Sequence, residues 1–383
     1  MKKRELITEK FIELMKDDET RFLMEKALAQ AAKENPDRIT NPAFTLEEFY
    51  DFIDWACKCM PWNVLRNMPY TKLYDQIDQS INYFWFVFGQ FLDELKDKGY
   101  YLPNLEYHEP VASWIKDFSK DWGKFLSSEE SWNDEYFQKQ FEDDCFCMNT
   151  GWYGKENVWH SYNEFFSRHL IDPSVRPIGN AELVSPADSR PEGVWKIKED
   201  GYIDDDGVKI KSHQFYKVDE LLGDNSKYHG VFNGGSLTHT FLNVNDYHRY
   251  HFPISGTILD MYKIDAFNAV GGHTYFDKET KRYICDCNDT SWQARETRDC
   301  VILDTEFGIV ACLPIGMSQI CSCNFEDNLK VGDKVKKGDP LGYFLFGGSD
   351  FVMLFERKVE FNFLGKVGEH ILMGENYATL KLK

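Results

Sequence analysis

No run in this sequence stays apolar over the roughly 20 residues that a membrane-spanning helix needs. The most apolar stretch, residues 81–92 (INYFWFVFGQFL), is interrupted by Asn82 and Gln90. The start, MKKRELITEKFIELMKDDET, opens basic, but acidic residues soon interrupt it, and no export signal is read there. The expectation is a cytoplasmic, non-integral protein. Positive charge is also scarce: 44 Lys and Arg face 63 Asp and Glu, a net charge of −19. That balance excludes a protein that neutralises phosphates along a nucleic acid, and it disfavours a broad grip on anionic lipid. Missing too is the C-x2-C spacing common in zinc sites. Eight of the ten cysteines form four C-x-C pairs instead: Cys57 with Cys59, Cys145 with Cys147, Cys285 with Cys287 and Cys321 with Cys323. They read as unconnected, reduced core thiols, with no metal expected.

What is present makes a folded protein. With 383 residues, two domains are the default from size. Hydrophobic residues at 43% supply the core and charged residues at 28% keep the surface wet, so disorder is a poor reading. The first 159 residues read as a helical domain. Phe11, Ile12, Leu14 and Met15 make one apolar stripe, and Phe22, Leu23, Ala27 and Leu28 make a second that Pro36 ends. Thr45 and Glu48 form a capping box for a helix through Phe49, Phe52, Ile53 and Trp55. A long helix is predicted over 74–98, stopping near Gly99, and another over 111–126. The dense Trp and Phe of this region read as packing rather than as a ligand pocket, because a small helical layer needs large side chains.

From about residue 180 the texture becomes short alternating runs punctuated by Gly, Asp and Asn, as in SGTILDMYKI, CVILDTEFGIVACLPI and YFLFGGSDFVMLF. Residues 203–208 (IDDDGV) read as a hairpin turn, the calcium-loop pattern being incomplete. Residues 331–342 (VGDKVKKGDPLG) look like a hairpin of the barrel-sandwich type found in biotinyl or lipoyl carriers, although Lys336 and Lys337 lack a flanking Met. The fold class is therefore α+β, with helices in 1–159 and a β-rich domain over 160–383.

Three distant segments each offer a group that a serine-centred site requires. Residues 183–188 (LVSPAD) supply Asp188; residues 241–256 (FLNVNDYHRYHFPISG) supply His248 and His251; residues 346–350 (FGGSD) supply Ser349 behind two glycines. Taken singly, each has a bland reading: a Gly-Gly-Ser turn, an Asp cap, a His pair. Asp246 reads as a residue ordering its own turn, and His229, His239 and His273 as structural histidines.

Taken in order, FFSR (165–168), Pro177, SPAD, DYHRYH with Pro253 and Gly256, ARETR (294–298), IGMSQICSC (315–323) and the late Gly-Ser resemble the phosphatidylserine decarboxylase family over residues 160–383. The Gly-Gly-Ser-Asp wording and the extra helical region are more similar to its soluble branch, which includes tryptophan decarboxylases, than to the common form with Leu-Gly-Ser-Thr at the processing site. The resemblance implies self-cleavage between Gly348 and Ser349. Ser349 Oγ would attack the Gly348 carbonyl, and elimination and hydrolysis would leave a covalent pyruvoyl group on residue 349, so that no PLP is needed. His251 would be the base, oriented by Asp188 as in a triad. His248 would be the acid that protonates the substrate carbon after CO2 leaves.

The implied substrate is an amine-bearing carboxylic acid that reacts through a Schiff base. A free, aromatic amino acid such as tryptophan is favoured over phosphatidylserine because no lipid anchor is seen. The small fragment, 349–383, would stay held by the large one, 1–348, and a homo-oligomer is left open. Two readings from other classes stand beside this one: an uncleaved serine hydrolase, which lacks the G-x-S-x-G elbow, and a non-catalytic carrier module.

Overall fold

The computed structural model describes residues 2–67, 69–204, 217–286, 292–320 and 322–383. Seven helices come first: α1 (Leu6–Leu14), α2 (Asp18–Glu34), α3 (Leu46–Ala56), α4 (Leu73–Trp85), α5 (Val111–Leu126), α6 (Asp134–Glu142) and α7 (Tyr162–Phe166). Strands then run as β1 (Leu183–Val184), β2 (Arg190–Ile197), β3 (Ile203–Asp204), β4 (Ser236–Leu242), β5 (Arg249–His251), β6 (Gly256–Ile264), β7 (His273–Asp277) and β8 (Arg282–Asp286), with the short helix α8 (Val218–Leu222) before β4. The remainder are β9 (Arg298–Thr305), β10 (Gly308–Met317), β11 (Cys323–Phe325), β12 (Lys334–Val335), β13 (Pro340–Phe344), β14 (Gly348–Phe355), β15 (Val359–Phe363) and β16 (Asn376–Leu382). Helices then strands make the α+β class.

Local chemistry sets the early helix ends. Asp17 caps α2 by accepting from the Thr20 N–H at 2.8 Å, and the helix stops at Glu34, two residues before Pro36. Thr45 caps α3, accepting from the Glu48 N–H, while Glu48 reaches back to the Phe44 N–H rather than to Thr45 itself. The helix predicted over 74–98 ends at Trp85. Phe84, Trp85, Phe86, Val87 and Phe88 are all buried, and the chain turns away after Trp85. Leu105 N–H then bonds to Phe88 C=O and Leu92 N–H to Pro103 C=O.

The main sheet is antiparallel in the order β12-β6-β9-β10-β14-β4-β2-β3. Its central strand β14 begins at the predicted cleavage bond, and Ser349 lies between Gly316 of β10 and Leu242 of β4. A second sheet, β1-β16-β15, joins strands from both sides of that bond. The 331–342 segment turns at Lys336–Asp339 as predicted, yet β12 pairs with β6 while β13 pairs with β5 and β11. The turn therefore links two sheets instead of closing a hairpin on itself.

The helical region packs directly on the strands. Gln79 of α4 bonds both the N–H and C=O of Tyr283 on β8, Trp85 donates to Ser318 Oγ at 3.1 Å, and the Trp122 ring lies 5.5 Å from Phe346. The aromatics of 1–159 do build a core, with Phe11 4.6 Å from Trp114 and Phe84 4.7 Å from Phe118 between ring centroids. Among the described cysteines none is in a disulfide; Cys57, Cys59, Cys300, Cys312 and Cys323 are buried, and Cys145 is exposed. Cys287, Cys321 and most of the 203–208 turn lie outside the described residues.

Candidate active site

Ser349 is wholly buried and its hydroxyl has no hydrogen-bond partner among the described residues. A buried, unsatisfied hydroxyl costs free energy, which makes it a place to look for chemistry. The residue before it has no room for a side chain: a Cβ on Gly348 would come within 2.4 Å of Met317 Cγ. Gly347 holds φ at 153°, a conformation side chains rarely adopt. The serine therefore comes after a backbone stretch that only glycine fills, as a group made from that serine would require.

His251 sits at the end of β5 and is buried. Its Nδ1 lies 2.8 Å from the Gly338 carbonyl and must donate to it, since a carbonyl only accepts. Nε2 therefore carries the lone pair, facing the Tyr247 hydroxyl at 3.2 Å. Burial lowers its pKa to about 4, so the ring is neutral at pH 7 and able to accept a proton.

Among the described residues Asp188 makes no hydrogen bond to His251. Its two oxygens are occupied by Arg176 Nη2 at 2.7 Å and the Met373 N–H at 2.8 Å. Both partners in the Arg176 pair are buried, and that guanidinium lies over the Trp152 ring at 3.5 Å. The hydrogen bond on His251 Nδ1 thus goes to the Gly338 carbonyl, while the carboxylate is paired with a buried Arg.

His248 is fully buried, stacked on Phe166 at 3.8 Å, with Nδ1 donating to the Asp246 carbonyl at 2.9 Å. Nε2 has no partner. Burial, with the Arg168 charge adding to it, lowers the pKa to about 3, so this ring too is neutral and must receive a proton before it can act as an acid. Ser349, His251, Asp188 and His248 are thus all buried, but among the described residues no hydrogen bond joins any two of them. Asp246 orders its turn as predicted, accepting from Asn243 N–H at 2.8 Å, and its other oxygen meets His370 at 2.8 Å. Arg168 of the FFSR segment contacts the Asn245 and Asp246 carbonyls at 3.3 Å, which holds that turn in place.

A cavity of about 630 Å³ opens at the predicted cleavage bond, with Gly348 and Asp350 in its wall. Tyr74, Asp78, Ile81 and Asn82 of α4 close one side; Trp195, His239 and Phe241 stand on the sheet side. Both arginines of the wall are already matched, Arg190 by Glu192 at 2.9 Å and Arg282 by Asp75 at 2.7 Å. Sequence reasoning passed over Tyr247, Arg176 and Asp350, and named His239 only as a structural histidine. The signal available for the last two was an acid, and a histidine between threonines, inside otherwise apolar strands.

A family model described as phosphatidylserine decarboxylase matches residues 162–379. A phosphatidylserine decarboxylase proenzyme of Fusobacterium nucleatum is 31% identical over 74% of this chain and 90% of its own length. A proenzyme of the same name from Oryza sativa is 32% identical over 66% of this chain and 38% of its length. An L-tryptophan decarboxylase of Psilocybe cubensis is 26% identical over 62% of this chain and 61% of its length. The match spans the SPAD, DYHRYH and Gly-Ser segments, whose Asp188, His248, His251 and Ser349 are all buried, and the chain belongs to the phosphatidylserine decarboxylase family, whose members are pyruvoyl-dependent decarboxylases.

Proposed function

We propose that this chain cleaves itself between Gly348 and Ser349 and then decarboxylates a free α-amino acid with an aromatic side chain, tryptophan being the first to try. In maturation the Ser349 Oγ bonds to the Gly348 carbonyl carbon as the amide C–N bond breaks. Loss of the Cα proton expels the Gly348 carboxylate, and water releases ammonia from what remains, leaving a carbonyl on residue 349. His251 is the proposed proton acceptor for the hydroxyl, being neutral with its lone pair on Nε2. His248 is the proposed donor to the substrate carbon, once protonated. The pyruvoyl group, when present, supplies an electron sink for the pair left by departing CO2.

The observation that carries the substrate class is the cavity beside Gly348, walled by α4 and by Tyr74, Trp195, Phe241 and Tyr283. Its volume falls within the roughly 300–1,000 Å³ usual for small-molecule sites. Its matched arginines leave the substrate carboxylate without a strong ion pair, and weak holding of the group to be lost favours reaction over binding. Phosphatidylserine is the second reading, favoured by the name and the 90% coverage of the Fusobacterium relative.

Denaturing mass spectrometry of the purified chain is expected to give two pieces, 1–348 and 349–383, with a borohydride-reducible carbonyl on the smaller. Ser349→Ala stays in one piece. The mature protein is then offered free amino acids and phosphatidylserine vesicles. Release of an arylalkylamine supports the reading; release of phosphatidylethanolamine alone replaces it with the second; an intact chain that is active overturns both.

A further inference from the structure

Successive side chains of a strand point to opposite faces, and along β14 it is Gly348 and Asp350, not Ser349, that border the cavity. On β4, Phe241 stands opposite Asp350 and His239 opposite Val352. His239 and Asp350 are therefore diagonal neighbours on the cavity face, and His239 Nε2 meets Asp350 Oδ1 at 2.5 Å. Both residues line the cavity, and Asp350 is wholly buried. Its second oxygen, Oδ2, has no hydrogen-bond partner among the described residues.

A carboxylate in the wall of a cavity with one oxygen unclaimed is an acceptor in want of a donor. The neighbouring charges make that donor a cation. Asp78 and Glu192 also line the cavity, and the Glu192 charge reaches Asp350, while Arg190 and Arg282 are paired with their own acids. A substrate α-amine arrives as an ammonium ion and cannot attack a carbonyl until it sheds a proton.

We propose that Asp350 receives the substrate α-ammonium on Oδ2 and takes its proton, with His239 as the positioning residue that fixes the carboxylate through Oδ1. In that step one N–H bond breaks, its electron pair stays on nitrogen, and the proton bonds to Oδ2. Ammonium and carboxylate become a neutral amine and a neutral carboxylic acid, so charge balances, and the lone pair is released on the cavity face, one residue along the chain from 349. Burial raises the Asp350 pKa, which narrows the gap to the amine and helps the transfer. The proposal rests on the free amino acid reading above.

Two measurements test it. In the Ser349→Ala chain, which cannot form the carbonyl, calorimetry is expected to detect L-tryptophan binding, and adding Asp350→Asn is expected to weaken it by about tenfold or more, as loss of a charge-assisted hydrogen bond does. In the processed protein, Asp350→Asn is expected to cleave normally by denaturing mass yet lose turnover. His239→Gln is expected to cleave, raise KM and keep part of kcat. It carries the test if the Asn variant does not fold, unchanged KM and binding then overturning the proposal. Equal binding with and without Asp350→Asn, or failure of a folded Asp350→Asn chain to cleave, overturns the role given to Asp350. If the wild-type chain releases no amine from any free amino acid and the Ser349→Ala chain binds none, the functional reading underneath fails instead.

Discussion

Gly348 and Met317 face each other across β14 and β10, so close that a Cβ on the glycine would lie 2.4 Å from Met317 Cγ and 2.8 Å from its sulfur. The carbonyl that self-cleavage must attack thus belongs to a residue with the space for its side chain already filled. Gly348→Ala is expected to push that carbonyl off line and slow cleavage by on the order of a hundredfold, the scale of a 1 Å misplacement. Met317→Ala in the same chain opens the space and should recover most of the rate. Densitometry of the two fragments over time after synthesis reads this out, and an alanine variant that cleaves at the wild-type rate contradicts it.

Asp188 is a structural partner before it is anything else. Its ion pair with Arg176 is buried on both sides, and removing one member of such a pair costs about 3–5 kcal/mol, because the other is left charged and unpaired. Asp188→Ala should therefore lower stability to denaturant by that amount, and Asp188→Ala with Arg176→Met should regain much of it. If the double variant is stable yet does not cleave, Asp188 also acts in processing; if it cleaves, the aspartate serves the fold alone.

Much of this molecule was legible in its sequence. Stripes such as Phe11 to Met15 have one apolar face and gave helices where predicted, and α5 matches its predicted span of 111–126. The 74–98 helix ends early at Trp85, because an unbroken apolar run reads as continuation while backbone bonds such as Leu105 N–H to Phe88 C=O take the chain elsewhere. The candidate site residues could be named because DYHRYH and Gly-Gly-Ser are local wordings. Their partners were not, since Arg176 with Asp188, or Gly338 with His251, are pairings set by sheet topology rather than by spacing. Asp350 was visible only as an odd acid beside the serine; its meaning needed β4 alongside.

Glu296 makes stability depend on pH. It is fully buried, accepting from the Ala269 N–H at 2.9 Å and the Tyr107 hydroxyl at 3.2 Å, and burial raises its pKa from 4.5 to about 8. Between those values the folded state keeps a proton that the unfolded state has lost. The contribution is therefore full below pH 4.5, declines as pH rises, and is gone above about 8. Glu106, buried nearby with its pKa also raised, acts in the same direction. Glu296→Gln should flatten the fall of unfolding free energy between pH 5 and pH 8 by about one proton's worth of slope; urea melts at the two values decide it.

The His370–Asp246 pair crosses between what would be the two fragments, and its pH response has a defined sign. Position 370 lies beyond the cleavage bond and Asp246 before it, with Nε2 and Oδ1 2.8 Å apart. The hydrogen bond to Asp246 raises the His370 pKa above 6.5. A raised histidine pKa gives stability that is complete below the unfolded value and lost as pH climbs through the folded one. His370→Ala should therefore cost more at pH 5.5 than at pH 8.5, by an amount solvent screening keeps small, since the ring is partly exposed. It should not free the small fragment at either pH. That fragment places β14 in the middle of the main sheet and β16 against β1, and the Met373 N–H bonds to Asp188. Gel filtration of the cleaved variant is expected to show both pieces eluting together. Release should come only in urea, at the same midpoint as the loss of far-ultraviolet dichroism, and a fragment that leaves before the sheet melts would refute this account of how the pieces are held.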